Sequence, residues 1–301
     1  MYIYITCEGT MGNTRFDIAK KDIVAYFSSN SSKIYTFNEI SQILREKRAF
    51  WRLSSLGVHE FIRLLTEKTL LKEIIFEFST TAIARYVWNR KVSILPAVLS
   101  LKPESYFTHY TAMYIHDLTE QMPTAIYLNL EQSKKINQAG GLQQENIDKA
   151  FSHPPRISQN VSYYEDYSIY MLNGKHTGRL GVVEYYDAEN EKLYVTDIER
   201  TLIDAAVRPN YSGGISEVLK AYGRAAQKVS VNKLSAFLGK IDYIYPYHQV
   251  IGFYLEKSGR YKESQIKLLE KFEIKHAFYL THQMKETEYS KRWRLYYPKN
   301  F

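Results

Sequence analysis

Three carboxylates and an arginine lie close together in one short segment, Asp197-Ile198-Glu199-Arg200-Thr201-Leu202-Ile203-Asp204. Side chains of these types can carry general acid-base chemistry. Their spacing favours a structural role, because Asp197 is a good helix N-cap and Glu199 suits the positive end of a helix. Arg200 and Asp204 stand at positions i and i+4, where two side chains on one helix face can pair. The pattern predicts the start of a helix and no catalytic site.

A second segment, Asn173-Gly174-Lys175-His176-Thr177, contains part of a phosphate-binding loop, namely Gly-Lys followed by threonine. Such a loop also needs an earlier glycine at a fixed spacing and a helix that follows it. Ile169 occupies the place of that glycine, and β-prone residues flank the segment on both sides. The segment is therefore predicted to be a hairpin turn with a basic tip.

The remaining candidates for metal chemistry lack the partners that such chemistry needs. His109 and His116 lie on one predicted helix, but no nearby carboxylate completes a zinc-ligand spacing. Glu165, Asp166 and Glu184 could belong to a nuclease, yet no acidic residue and lysine follow at short spacing. We expect no catalytic residues, no cofactor and no metal, and keep a nuclease or another defence enzyme as an alternative.

The N-terminal part of the chain carries a different kind of signal, a set of cationic and small polar side chains suited to duplex DNA. Cations precede a helix predicted over residues 54–68, and that helix exposes His59 and Arg63. A helix in the major groove reads base edges, while cations and helix-start amides contact phosphates. The alternative is a solvated basic face on an interaction module. The predicted DNA-contacting residues are Arg45, Lys47, Arg48, Arg52, Ser54, Ser55, His59, Arg63, Thr80 and Arg85.

Periodicity predicts three helices and a hairpin around these residues. The first helix is predicted to bury Ile18, Ile23, Val24 and Phe27, and the second begins at Thr36, whose capping box is completed by Glu39. The third helix carries an apolar stripe. Two β-prone runs, residues 70–78 and 83–88, then enclose a polar tip. This order predicts a winged helix-turn-helix domain over residues 1–91.

The rest of the chain, residues 92–301, is predicted to form a mixed α and β domain with a small sheet and a helical C-terminal half, so that the whole chain is of the α+β class. Each strand is rich in Tyr, Val, Ile or Leu and is bounded by turn residues. The predicted elements are a helix over 106–118, a strand over 125–130, an excursion loop over 131–160, strands over 167–172, 180–186 and 192–196, helices over 198–272 and a strand over 293–297.

Composition excludes several classes of protein. The 301 residues hold 40 Lys and Arg against 32 Asp and Glu, and residues 16–91 alone hold 13 against 8, which favours an anionic partner for that part. The single cysteine, Cys7, provides no disulfide framework. No apolar run is long enough to span a membrane, and the N-terminus has no signal-peptide layout. We expect a cytoplasmic protein without a membrane partner.

Four segments that stand out along the chain are residues 105–112 (SYFTHYTA), 118–123 (LTEQMP), 197–204 (DIERTLID) and 208–214 (RPNYSGG). Together they resemble the AbiEi family of antitoxins from type IV toxin-antitoxin systems, over most of the chain. The resemblance implies an N-terminal winged-helix domain joined to a C-terminal antitoxin domain, and no catalytic residues. The sequence departs from the family at His116-Asp117, where the family has His-Gly, and in its longer N-terminal domain.

The resemblance further implies a function. Members repress transcription of their own operon by binding its promoter DNA, and they counteract a nucleotidyltransferase-like toxin in phage defence without necessarily forming a stable complex. The leading hypothesis is therefore a DNA-binding antitoxin and autorepressor. Besides the nuclease or other defence enzyme, a solitary transcription regulator whose second domain senses a ligand stays open as an alternative.

Overall fold

The computed structural model of the chain describes residues 14–89, 93–134 and 141–301. It divides into two compact units: unit 1 comprises Met1–Phe76 with Ala82–Ala97, and unit 2 comprises Glu77–Thr81 with Val98–Phe301. The predicted domain boundary, between residues 91 and 92, lies outside the described residues, as do Cys7 and the N-terminal segment. Within the described ranges the chain contains eleven α-helices and three sheets, so the predicted α+β class is confirmed.

Residues 14–89, which belong to unit 1 apart from the hairpin tip Glu77–Thr81, contain three helices and a three-stranded sheet. Strand β1 pairs antiparallel with β3, which in turn neighbours β2, so the sheet order is β1-β3-β2. The turn Ser79-Thr80 joins β2 to β3, and the predicted hairpin is confirmed. The elements are α1 (Arg15–Ser29), β1 (Ile34–Tyr35), α2 (Phe37–Lys47), α3 (Val58–Lys68), β2 (Leu71–Phe78) and β3 (Thr81–Trp88).

The first two helices begin at capping boxes. Thr36 accepts a hydrogen bond from the Glu39 amide, and the Glu39 carboxylate accepts one from the Thr36 amide at 2.6 Å, as predicted. Thr14 and Asp17 form the same motif at the start of α1. The predicted burial of Ile18 is wrong, since that side chain is 70% exposed. Phe16, together with Ala19, Ile23 and Phe27, forms the buried stripe of α1 instead.

Helix α3 begins later than predicted. Its first residue is Val58 and its N-cap is Gly57, so residues 48–57 form a connection after α2 rather than the first turn of α3. Trp51 and Leu53 from this connection are buried, and the Trp51 ring stacks on Phe61 at 5.8 Å between centroids. The connection therefore belongs to the core of unit 1, because two of its large apolar side chains leave water there.

Unit 2 is built on a six-stranded sheet of order β6-β7-β5-β4-β9-β8. Strands β5 and β7 are parallel, as are β4 and β9, and the other neighbours are antiparallel. The strands are β4 (Tyr106–Phe107), β5 (Ala125–Glu131), β6 (Val161–Tyr164), β7 (Tyr167–Gly174), β8 (Val182–Tyr186) and β9 (Lys192–Thr196). A second sheet, of order β10-β12-β11, contains β10 (Phe278–Tyr279), β11 (Thr287–Ser290) and β12 (Leu295–Pro298).

The helices after Thr196 follow the prediction, with breaks near Pro209, Gly213-Gly214 and Pro246. Among the described residues, no helix has the length and apolar character needed to cross a membrane. The remaining helices of the chain are α4 (Ile94–Leu99), α5 (His109–Ile115), α6 (Gln144–Ser152), α7 (Ile198–Val207), α8 (Ile215–Ala225), α9 (Val231–Ile241), α10 (Tyr247–Lys257) and α11 (Glu263–Glu270), with a 3-10 turn at Pro209–Tyr211 between α7 and α8.

Three predictions for unit 2 are wrong. Tyr106–Phe107 is a short strand between β5 and β9 rather than the first turn of a helix. The predicted excursion loop over residues 131–160 contains α6, whose apolar stripe buries Ile147 and Phe151. Residues 173–177 are not a hairpin turn, because β7 and β8 are at different places in the sheet: β7 pairs with β5 and β6, and β8 pairs with β9.

Candidate functional site

Two predicted DNA-contacting cations of unit 1 project into solvent. Arg45 lies in the last turn of α2, and Arg52 lies in the connection that follows. Both side chains are exposed, and neither is ion-paired with a carboxylate in the part of the chain that the structure describes. Lys47 is half-buried, with Nζ 5.1 Å from the centroid of the Tyr26 ring. We call Arg45, Lys47 and Arg52 the α2 basic cluster.

Arg48 has a structural role that its charge did not reveal. Its Nη1 donates to the Ser54 carbonyl at 3.1 Å, and its Nη2 donates to the Leu56 carbonyl at 2.9 Å. Those carbonyls belong to the irregular connection, where no helix or strand partner satisfies them. These two hydrogen bonds use two of the five guanidinium donors, so Arg48 also has a structural role, and its contact with phosphate stays a prediction.

Arg63 is also engaged within the unit. Its Nη2 lies 2.5 Å from Glu60 Oε1, and its Nη1 lies 2.7 Å from Glu67 Oε2, on the exposed face of α3. The hydrogen bond that the guanidinium donates to Glu60, followed by the one that it donates to Glu67, raises the pKa of Arg63 above its usual value. A base contact by Arg63 requires it to leave both carboxylates. Glu60 and Glu67 also make this face less cationic than the sequence interpretation assumed.

The remaining predicted DNA contacts, Ser54, Ser55, His59 and Thr80, are exposed. Ser54 and Ser55, however, do not lie at the start of α3. Ser54 and Ser55 precede α3, whose N-cap is Gly57, so the prediction that they bring helix-start amides to a phosphate is wrong. His59 is exposed on the first turn of α3, with its ring 5.0 Å from that of Phe37. Thr80 is exposed in the turn between β2 and β3.

Arg85 is the predicted contact that the structure removes from the surface. Its side chain is 9% exposed, and Nη1 donates to the Ala84 carbonyl at 2.7 Å. Burial lowers the pKa of the guanidinium, an effect that the charge of Glu39 opposes. A buried arginine cannot reach a phosphate without a rearrangement of its surroundings, so a DNA contact by Arg85 stays a prediction that requires such a rearrangement.

One exposed side chain beside the α2 basic cluster was missed in the sequence. Phe50, in the connection between α2 and α3, is 70% exposed. An aromatic ring in water next to cations can pack against a sugar or a base. The sequence could have indicated Phe50, because it is an apolar residue in a basic segment and does not belong to the apolar stripe of a helix.

In unit 2 the carboxylate-rich segment has the structural role that its spacing predicted. Asp197 N-caps α7, and its Oδ1 accepts the Arg200 amide at 2.8 Å. Arg200 Nε donates to Asp204 Oδ1 at 2.8 Å, and Thr108 Oγ1 donates to Asp204 Oδ2 at the same distance. Glu199 accepts the Ser230 amide at 2.8 Å. Among the described residues, no group of three or more His, Cys, Asp or Glu side chains is placed to hold a metal ion.

Comparison with known proteins adds information on the fold. No protein-family model matches the chain, and no curated protein is significantly similar to it in sequence. A crystal structure of the RV2827C protein from Mycobacterium tuberculosis superposes with a TM-score of 0.62 at 14% identity, over 93% of this chain and 91% of that chain. The similarity extends over nearly the full length of both proteins, and at this identity it concerns the fold.

Proposed function

We propose that unit 1 is a winged helix-turn-helix module that binds duplex DNA. One observation carries this proposal, namely the chain order α1-β1-α2-α3-β2-β3 together with the pairing of β1 onto β3. In a module of this kind the third helix faces the major groove and the hairpin flanks it, and a three-stranded sheet holds the hairpin against the helices. The connection between α2 and α3 is longer than in a minimal helix-turn-helix.

The charge of unit 1 supports the same proposal. Arg45 is an exposed cation in the last turn of α2, Arg52 is an exposed cation in the connection that leads to α3, and Lys47 is half-buried. Cations of this kind release counterions from DNA when they contact phosphates, which gives affinity without base specificity. We place the phosphate contacts at the α2 basic cluster, with His59 and Thr80 as further contacts.

We further propose that the whole chain is a DNA-binding antitoxin and autorepressor of a type IV toxin-antitoxin operon, and not an enzyme. The resemblance of residues 105–112, 118–123, 197–204 and 208–214 to AbiEi antitoxins supports this proposal. In this scheme unit 1 represses the promoter of its own operon in the cytoplasm. Unit 2 counteracts a nucleotidyltransferase-like toxin.

DNA binding is tested with the full chain and the DNA upstream of its gene. Fluorescence anisotropy over a salt series should give an affinity that falls steeply with salt concentration. The double variant Arg45→Ala/Arg52→Asn should weaken binding and make the salt slope shallower by about two, since each lost phosphate contact removes roughly 0.9. Asn is chosen at position 52 because Arg52 has a φ of 55°, which Asn tolerates.

A matched control variant removes two positive charges from unit 2 instead. Lys267→Ala/Lys271→Ala changes two exposed lysines of unit 2 and should leave both the affinity and the salt slope unchanged. Equal losses in the two double variants would mean that the net charge, and not the α2 basic cluster, governs binding. Unchanged affinity in Arg45→Ala/Arg52→Asn would exclude the proposed interface.

The proposed antitoxin function is tested in a separate growth assay. Co-expression of the full chain with a nucleotidyltransferase-like protein encoded next to its gene should restore growth. The Arg45→Ala/Arg52→Asn variant should still restore growth while no longer repressing a promoter fusion. Continued toxicity in the presence of well-expressed protein would refute the antitoxin function and leave the DNA-binding proposal to stand on its own measurement.

A further inference from the structure

Unit 2 contains a large cleft at the carboxyl ends of the parallel strands β5 and β7. The cleft has a volume of about 1380 Å³ and is lined by the start of α5, the end of α7, residues that follow β5 and β7, and the segment Ile241 to Tyr247. The volume exceeds that of a typical small-molecule site, roughly 300–1,000 Å³. Carboxyl ends of parallel strands are the usual place for ligands in mixed sheets.

The cleft is strongly cationic. Among the described residues, its lining includes six Lys or Arg side chains and two carboxylates, Asp204 and Asp242. Asp204 is already neutralised by Arg200. In the part of the chain that the structure describes, neither Lys175 nor Arg208 is ion-paired with a carboxylate, and both side chains are exposed. The free charge of the cleft is therefore positive and suits an anion.

Lys175 and Arg208 are positioned by neighbours that leave most of their donors unused. Lys175 donates to the Asp242 carbonyl, and its Nζ lies 5.6 Å from the centroid of the Tyr243 ring. The Arg208 guanidinium lies 5.7 Å from the centroid of Tyr211, and Nη1 donates to the Arg156 carbonyl at 3.3 Å. An ammonium has three donors and a guanidinium five, so each retains donors for a phosphate.

A buried histidine, His109, also lines the cleft. His109 is 7% exposed, and its Nδ1 has no hydrogen-bond partner among the described residues. Burial lowers the pKa of His109 to about 4, an effect that Asp204 opposes and that Arg208 and Arg200 increase, so the ring is neutral at physiological pH. Its backbone has a φ of 54°, a conformation that non-glycine residues adopt at a cost and often at functional sites. An orphaned polar atom at a cationic cleft indicates a ligand that supplies the missing hydrogen bond.

The cleft also offers aromatic surface beside these charges. Tyr243, Tyr245 and Tyr247 line it and are half-buried. Half-buried tyrosines next to cations suit a ligand with a planar ring and an adjoining phosphate. We propose that this cleft binds a nucleotide phosphate, with Lys175, Arg208 and His109 on the phosphate and the tyrosines against the base.

The ligand can be a free nucleotide or part of a single strand, since both present the same phosphate and base. Isothermal titration calorimetry of the full chain should distinguish them, with ribonucleoside 5′-monophosphates, the matching nucleosides, inorganic phosphate and single-stranded trinucleotides as probes. We expect monophosphates to bind and nucleosides to bind at least about tenfold more weakly, the effect of one lost charge-assisted hydrogen bond. Tighter binding of the trinucleotides would identify a strand as the source, and tighter binding of the monophosphates a free nucleotide.

Charge-removing variants locate the binding. Lys175→Gln and Arg208→Gln should each raise the dissociation constant about tenfold or more, while Lys267→Gln, an exposed lysine on α11 outside the cleft, should leave it unchanged. His109→Asn, which tolerates the left-handed backbone, should also weaken binding of monophosphates. Melting curves of the same variants show whether a loss comes from unfolding.

Several outcomes would overturn the proposal. They are inorganic phosphate binding as tightly as the monophosphates, no binding of any nucleotide by folded protein, or equal losses in Lys267→Gln and the cleft variants. The site is independent of the DNA-binding proposal for unit 1. Arg45→Ala/Arg52→Asn should therefore leave monophosphate binding unchanged, so that failure of one proposal is distinguishable from failure of the other.

Discussion

Arg200 and Asp204 form an ion pair, 2.8 Å between Nε and Oδ1, in which the two side chains are only 5% and 8% exposed. Burial alone would lower the pKa of Arg200, but the charge of Asp204 raises it, so the arginine stays charged. Arg200 Nη1 also donates to the Leu180 carbonyl at 2.9 Å, and Thr108 donates to Asp204. The pair joins α7 to two other parts of unit 2.

Removal of one partner from this pair should be costly. Asp204→Ala leaves a buried guanidinium without its counter-charge, and we expect a loss of about 3–5 kcal/mol in the free energy of unfolding. This is larger than the effect of an exposed i, i+4 pair, about 0.5 kcal/mol, which spacing alone suggests. Urea unfolding measures it. In the double variant Arg200→Met/Asp204→Leu the stability should largely recover, and a cost of less than about 1 kcal/mol for Asp204→Ala would contradict the buried-pair account.

The N-cap of α7 allows a second measurement. Asp197→Ala removes the acceptor of the Arg200 amide and the contact with Lys233 Nζ at 2.9 Å, and it should destabilise the protein by about 1–2 kcal/mol. Asp197→Asn keeps the cap and should cost much less. If the two variants melt at the same temperature, the charge of Asp197 matters more than its cap.

Arg48 and Arg45 should behave differently although they lie three positions apart on the edge of α2. Arg48→Ala removes two hydrogen bonds to carbonyls of the connection and should lower the free energy of unfolding by about 1 kcal/mol. Arg45→Ala should leave stability unchanged and reduce DNA affinity. Thermal melts and anisotropy on both variants check this, and a stability loss in Arg45→Ala would show contacts other than those described.

The glutamates of α3 provide a test of which face approaches DNA. Glu60→Gln/Glu67→Gln removes two negative charges and releases Arg63 from both of its partners, so DNA affinity should rise several-fold at low salt. The control Glu286→Gln/Glu288→Gln changes two exposed glutamates of unit 2. Unchanged affinity in the first variant would mean that α3 does not face the duplex.

The buried histidine of the cleft should make stability depend on pH. Burial lowers the pKa of His109 to about 4, with Arg208 and Arg200 adding to the effect and Asp204 opposing it. Between the unfolded value of about 6.5 and the folded value, the unfolded chain binds the additional proton. The contribution of His109 is therefore complete above pH 6.5 and is lost as the pH falls through this window, by roughly 3 kcal/mol over the whole window. Urea unfolding at pH 7 and pH 5 should show a smaller pH effect in His109→Asn, and an equal effect would contradict the assignment.

The elements that sequence reasoning predicted well depend on residues close together along the chain. The capping box of Thr36 and Glu39, the N-cap at Asp197 and the strand Lys192–Thr196 are defined by side chains within a few positions of one another. Helical stripes and turn residues act over the same short range. These elements therefore form as predicted in most of unit 1 and in the helices after Thr196.

The structural features that the sequence did not predict depend on contacts between distant parts of the chain. The two-residue strand Tyr106–Phe107 exists because β5 and β9 lie on either side of it. No local sequence pattern predicts so short a strand. The sequence also does not indicate the partners of Arg48 and Arg85, because the type of a charged residue does not determine whether folding exposes or buries its side chain. His109, Lys175 and Arg208 are far apart in sequence, and only the packing of α5, β7 and α7 brings them to one cleft, since long-range packing and not residue type determines which donors share a cavity.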